Sequence, residues 1–172
     1  MIKLKKLGHV LIRARDKDRS RRFYTEVLGF RISEELPGDA AFLTLGDGFH
    51  TFDIAQHPHP ESAAPATADH VGLGHIAFQV DSYDALRDAY VTLLDHDVTI
   101  TRAMDHNSQR SLYFADPDGN GLEIYFEVPD ALTVFADGRH DEDRMLPLSK
   151  RGEPLPDWLM DEWPAVAAAA GG

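Results

Sequence analysis

The chain contains no cysteine. Disulfides, thiolate chemistry and Cys-ligated zinc or iron–sulfur centres are therefore excluded. Positive charge is also scarce: 17 Lys and Arg stand against 29 Asp and Glu, a formal net charge of −12. A nucleic-acid backbone or an anionic membrane calls for a basic face, so neither is expected as a partner. No apolar run approaches the roughly 20 residues of a membrane span. The start, MIKLKKLGHVLI, is basic and then apolar. Its apolar part is too short for a signal-peptide core and no small-residue cleavage site follows, so it reads as a first strand. What is present suits a cytoplasmic, acidic, globular protein. Its 172 residues suffice for one ordinary domain or two small modules, and 43% are hydrophobic, enough to bury a core.

The chain is written twice. LGHVLIRARD begins at Leu7 and LGHIAFQVDS at Leu73, an offset of 66 residues. An apolar strand follows Leu-Gly-His in each copy, and then a helix. In the first copy Phe23, Tyr24, Val27 and Leu28 recur at helical spacing after the start signals Asp16 and Asp18. In the second, Leu86, Ala89, Tyr90, Leu93 and Leu94 do so after Asp81 and Ser82. Three strand-like runs complete each copy: RISEEL, AAFLTL and FHTFDIAQ, then VTITRAM, RSLYFA and GLEIYFE. The predicted fold is α+β, with two βαβββ modules in tandem forming a curled mixed sheet around a cavity. Residues 1–56 form the first module, 57–70 a Pro- and Ala-rich linker and 71–127 the second module. Residues 128–172 are an irregular, charged C-terminal extension, read as an arm over the surface or across a partner subunit, with the final AVAAAAGG frayed. Trp158, Leu159, Met160 and Trp163 cluster in that extension, and such aromatics usually cover something, which predicts a homodimer with the tail packed on its own module or its partner's.

One residue in these strands needs a partner. Glu123 stands between Leu122 and Ile124, and a carboxylate in an apolar strand is costly unless paired. His9 and His75 hold the same slot in the two copies. If the copies are related by pseudo-symmetry, both imidazoles and Glu123 converge on one point. Two histidines and one carboxylate suit Fe(II) first, and also Mn, Ni, Co or Zn, with coordination positions left open.

GHI at Gly74–Ile76, the hairpin YFADPDGNGLE at Tyr113–Glu123 and the doubled βαβββ unit resemble the vicinal oxygen chelate superfamily. That superfamily includes glyoxalase I, methylmalonyl-CoA epimerase, extradiol ring-cleaving dioxygenases and bleomycin-resistance proteins. The resemblance covers about Lys5 to Glu127 and implies His9, His75 and Glu123 as metal ligands. Further residues resemble the extradiol enzymes. His50 in FHTFDIAQ matches the second of their histidine pair, an acid–base residue, with Phe49 where the first would stand. His106 and Tyr113 in DHNSQRSLYF match the residues that hydrogen-bond the catecholate, with Asn107 in place of the family's Gly. Asp53 pulls the other way: it aligns with Glu123, as in glyoxalases and epimerases with four protein ligands. The expected function is thus a metal-dependent extradiol-type dioxygenase acting on a small catechol-like substrate, with His50, His106 and Tyr113 catalytic. The alternatives are a lyase, isomerase or epimerase that stabilises an enediolate, with Asp53 as fourth ligand or base, and a non-catalytic drug-sequestering protein.

Overall fold

A computed structural model describes residues 1–67, 71–138, 143–161 and 163. The predicted frayed end, and parts of the predicted linker and extension, lie outside the described residues. The chain divides into two compact units. The first comprises Met1–Thr67 and, from far along the chain, Asp116–Gly119; the second comprises Ala68–Ala115 and Asn120–Gly172. The fold is α+β, with one mixed sheet of four strands and another of five.

In the first unit β1 (Val10–Ala14) leads into α1 (Lys17–Arg22), which continues as a π-helical turn over Phe23–Val27. Then come β2 (Arg31–Leu36), β3 (Ala40–Thr44) and β4 (Phe52–Gln56), in the sheet order β1-β4-β3-β2. Residues 1–9 carry no strand, so β1 starts later than the apolar pattern suggests and His9 stands just ahead of it. The Asp16 carboxylate caps α1 by accepting from the Arg19 N–H, which satisfies one of the orphan donors of the first turn. Tyr24 turns inward onto Phe30 and Phe52, and with Ala14, Ala41, Leu43 and Ile54 these side chains form the unit's core.

The second unit repeats the plan. β5 (Ile76–Gln79) is followed by α2 (Tyr83–Asp95), β6 (Arg102–Asp105), β7 (Gln109–Ala115) and β8 (Gly121–Glu127). Ser82 caps α2 through the Ala85 N–H, and Leu86, Tyr90 and Leu93, spaced at three and four residues, bury one helical face. The two sheets share a register. In the first, parallel strands pair Leu11 with Asp53; in the second they pair Ala77 with Glu123. Asp53 and Glu123 therefore hold equivalent slots, as the alignment of FDIA with LEIY predicts.

The extension is not irregular throughout, which corrects the sequence reading. It contains two short helices, α3 (Ala131–Val134) and α4 (Asp157–Met160), and a strand, β9 (Arg144–Leu146). β9 pairs antiparallel with β6 and makes the order β5-β8-β7-β6-β9. Trp158, Leu159 and Trp163 are buried in the second unit, whereas Met160 is exposed. Burial of an apolar side chain of that size stabilises by roughly 1.5–3 kcal/mol. Arg110 holds this segment in place: its guanidinium donates to the Trp158 carbonyl at 2.9 Å, pairs with Asp105 at 3.1 Å and lies 4.8 Å from the Trp163 ring centre. No helix among the described residues is long and apolar enough to cross a membrane.

Candidate functional site

The first unit gathers His9, His50 and Asp53. Asp53 lies on β4 between Leu11 of β1 and Phe42 of β3, with only 3% of its surface exposed. His50 reaches it from just ahead of β4, with Nδ1 2.7 Å from Oδ1. An ionised carboxylate only accepts, so the His50 Nδ1 carries the hydrogen. His9 Nε2 lies 3.7 Å from the other carboxylate oxygen, and the two imidazole rings lie tilted at 33° with centroids 4.8 Å apart. One donor atom from each of the three residues falls within 4.8 Å of the others.

The second unit gathers His75, Glu123, Tyr113 and His106. Glu123 is again 3% exposed, and β8 sets it beside Ala77 on one side and Tyr113 on the other. His75 Nε2 lies 2.9 Å from its carboxylate, and the Gln109 amide donates to the other oxygen at 3.1 Å. That approach depends on Gly121. A β-carbon there would fall 2.5 Å from the Gly74 carbonyl and 3.4 Å from the His75 Cβ, so any larger residue would push β5 and its histidine away from β8. Tyr113 faces His75 edge-on at 5.6 Å, and Arg102 lies over its ring at 4.1 Å. Burial, followed by the negative charge of Glu123, pushes the Tyr113 phenol up to about 12. His106 Nε2 is 2.9 Å from the Tyr113 hydroxyl. Its loop survives the departure noted in the sequence: Asn107 has φ 64°, the left-handed conformation that Gly enters freely and that Asn adopts more readily than most residues.

The sequence reading groups His9 with His75 and Glu123 as metal ligands; within each unit the structure gathers other sets. His9, His50 and Asp53 meet in the first; His75, His106, Tyr113 and Glu123 meet in the second. Sequence reading missed three neighbours. Gln109 lies inside the DHNSQRSLYF stretch but is assigned no role by the resemblance, and Arg102 stands just ahead of that stretch. Asp143, whose Oδ1 is 2.6 Å from His106 Nδ1, stands in the extension that reads as irregular. Alternation along β7 puts Gln109, Ser111 and Tyr113 on one face, which was a usable signal for Gln109. Nothing local marked Asp143.

The side chains fit a divalent metal. Among the described residues the ion-pair partners of the buried Asp53 and Glu123 carboxylates are histidines alone. A buried carboxylate without a cation is costly, and imidazole nitrogens with carboxylate oxygens are donors that an iron-group ion accepts.

The chain resembles known proteins over most of its length. The family model of the Glyoxalase/Bleomycin resistance protein/Dioxygenase superfamily matches residues 6–124, and the extension lies beyond it. The uncharacterized protein YaeR of Escherichia coli (strain K12) is 34% identical over 131 residues, covering 73% of this chain and 98% of YaeR. A biphenyl-2,3-diol 1,2-dioxygenase 3 of Rhodococcus globerulus is 31% identical over 139 residues, covering 77% of this chain and 70% of the enzyme. Among solved structures, a glyoxylase/bleomycin resistance protein/dioxygenase domain from Frankia sp. EAN1pec superposes with a TM-score of 0.62 at 24% identity, covering 73% of this chain and 99% of that domain.

Proposed function

Because the chain belongs to the glyoxalase/bleomycin resistance protein/dioxygenase superfamily, we propose that it is a metal-dependent oxygenase of extradiol type that opens a catechol-like ring with O2. The observation that carries this reading is the hydrogen-bonded His106–Tyr113 pair at 2.9 Å, with Tyr113 next to Glu123 in the sheet. The metal donors in this proposal are His9, His75 and Glu123, with Fe(II) the first choice and Mn, Ni, Co or Zn as alternatives. Such an ion, when bound, supplies open coordination positions and Lewis acidity for the substrate oxygens.

The chain's own residues then have distinct tasks. Tyr113 stays protonated at neutral pH, because its phenol is pushed up to about 12. With His106 it holds a catecholate oxygen, and a neutral His106 can take a phenolic proton at Nε2. His50, held at Nδ1 by Asp53, exchanges a proton at Nε2 during ring opening. Both atoms of O2 end in the product as a ring carbon–carbon bond breaks, so no outside reductant is needed.

The test is direct. Protein loaded with Fe(II) without oxygen, then exposed to air with a panel of catechols, should take up O2 and yield a yellow ring-opened semialdehyde. No uptake across the panel refutes the oxygenase reading. His75→Ala and Glu123→Ala should each abolish stoichiometric metal with the fold kept, since each loses a ligand and not packing. Full metal occupancy in both variants refutes the ligand assignment, and a wild type that binds no metal supports a drug-sequestering protein.

A second reading rests on Asp53. It occupies the slot equivalent to Glu123 and draws His9 and His50 to itself. A carboxylate from each unit suits a lyase or isomerase that stabilises an enediolate, with Asp53 as fourth ligand or base. Asp53→Ala separates the two. Under the oxygenase reading the metal stays and the loss is limited to about tenfold, roughly 1.4 kcal/mol of barrier, from His50 losing the carboxylate that holds its Nδ1. Under the isomerase reading it falls on the order of 10²-fold or more.

A further inference from the structure

We propose that Asp143, in the C-terminal extension beyond the family match, is a positioning residue that sets the tautomer of His106. Its relevance to turnover rests on the role of His106 and Tyr113 argued above. The tautomer itself does not. The contact arises from strand pairing. β9 runs antiparallel to β6 with Arg144 opposite Asp105, so the next residues outward, Asp143 and His106, face each other. The Asp143 Oδ1 lies 2.6 Å from His106 Nδ1, and the Tyr113 hydroxyl lies 2.9 Å from His106 Nε2. A carboxylate can only accept, so the hydrogen sits on Nδ1 and the Nε2 lone pair faces the phenol. Nε2 then faces the Tyr113 hydroxyl as an acceptor, and it is the nitrogen available to receive a substrate proton.

The extension is fastened so that this contact persists. The Trp158 indole N–H donates to the carbonyl of Pro147, directly after β9, at 2.8 Å. The Trp158 carbonyl in turn accepts from the buried Arg110, and Arg87 donates to the Leu159 carbonyl at 2.8 Å. Arg110 stands on β7, three residues before Tyr113. The tail and the His–Tyr pair are thus tied to the same strands, and an acidic residue outside the repeated modules completes the pair.

Nitrogen-15 NMR of the imidazole rings tests the proposal, with His106 assigned by the signals that vanish in His106→Asn. The wild type should show a protonated, pyrrole-type Nδ1 and a pyridine-type Nε2. In Asp143→Ala the pattern should shift towards protonated Nε2, because the acceptor that selects Nδ1–H is gone. Asp143 is partly exposed, so this substitution leaves the core intact. An unchanged pattern in Asp143→Ala overturns the proposal. So does a wild-type His106 with its hydrogen on Nε2, whatever the variant does. If the tautomer depends on Asp143 but no catechol is turned over, the positioning role stands and the oxygenase reading falls. Where turnover is measurable, Asp143→Ala should lower kcat about tenfold or more with KM little changed.

Discussion

Replacing Asp118 by Ala should destabilise the first unit by about 3 kcal/mol, and the estimate can be built from its contacts. Asp118 stands in the DPDGN turn, yet it belongs to the first unit and is 4% exposed. One carboxylate oxygen accepts from the Arg15 guanidinium at 2.9 Å and the Arg19 guanidinium at 2.8 Å. The other accepts from the Arg15 backbone N–H and the Ser20 hydroxyl, both at 3.2 Å. Hydrogen bonds to a charged group contribute about 1.5–3 kcal/mol each and do not add fully. Removing one partner of a fully buried pair costs about 3–5 kcal/mol. The arginine side chains are 37% and 40% exposed and regain water when Asp118 is lost, which puts the cost at the lower end of that range. With a urea slope of about 2 kcal/mol per molar, the unfolding midpoint should fall by about 1.5 M.

The pH dependence gives an independent check on Asp118. Burial alone would raise its carboxyl, but the hydrogen bonds from Arg15 and the charge of Arg19 outweigh burial and hold it below the ordinary aspartate value of 3.8. A depressed folded-state value means that this stabilisation is present above pH 3.8 and is lost as the pH falls through the lower folded value. The gap between wild type and Asp118→Ala should therefore close only in strong acid. A midpoint shift below about 0.3 M at neutral pH, or a gap that does not narrow in acid, refutes this account of the turn.

Two further outcomes are expected. Arg110→Ala leaves the buried Asp105 without its cation and frees the extension, at a cost of about 3–5 kcal/mol; because the chain's two tryptophans both lie in the extension, their fluorescence should shift to the red before global unfolding, and an unshifted spectrum with unchanged stability refutes the clamp. A homodimer is proposed for the chain, and sedimentation should give about twice the 19.2 kDa chain mass, with a monomer at every concentration refuting it.

Much of the fold was legible because local pattern reports burial. RISEEL and GLEIYFE are strands to the residue, and the spacing of Leu86, Tyr90 and Leu93 marks the buried face of α2. The repeat also made Asp53 and Glu123 equivalent before any pairing was known, since residues in matching slots of matching strands share a register. Side-chain chemistry was legible in kind: with no thiol in the chain, histidines and carboxylates were the only strong metal donors. What lay beyond the sequence were the contacts between distant segments. The three residues of β9 are too few to show a period, and only its pairing with β6 brings Asp143 to His106. The DPDG turn reads as a hairpin between two strands of the second module, yet Asp116 and Asp118 bind Tyr24, Arg15 and Arg19 some 100 positions away. Periodicity encodes which face of an element is buried; which distant group meets that face is decided only when the chain closes on itself.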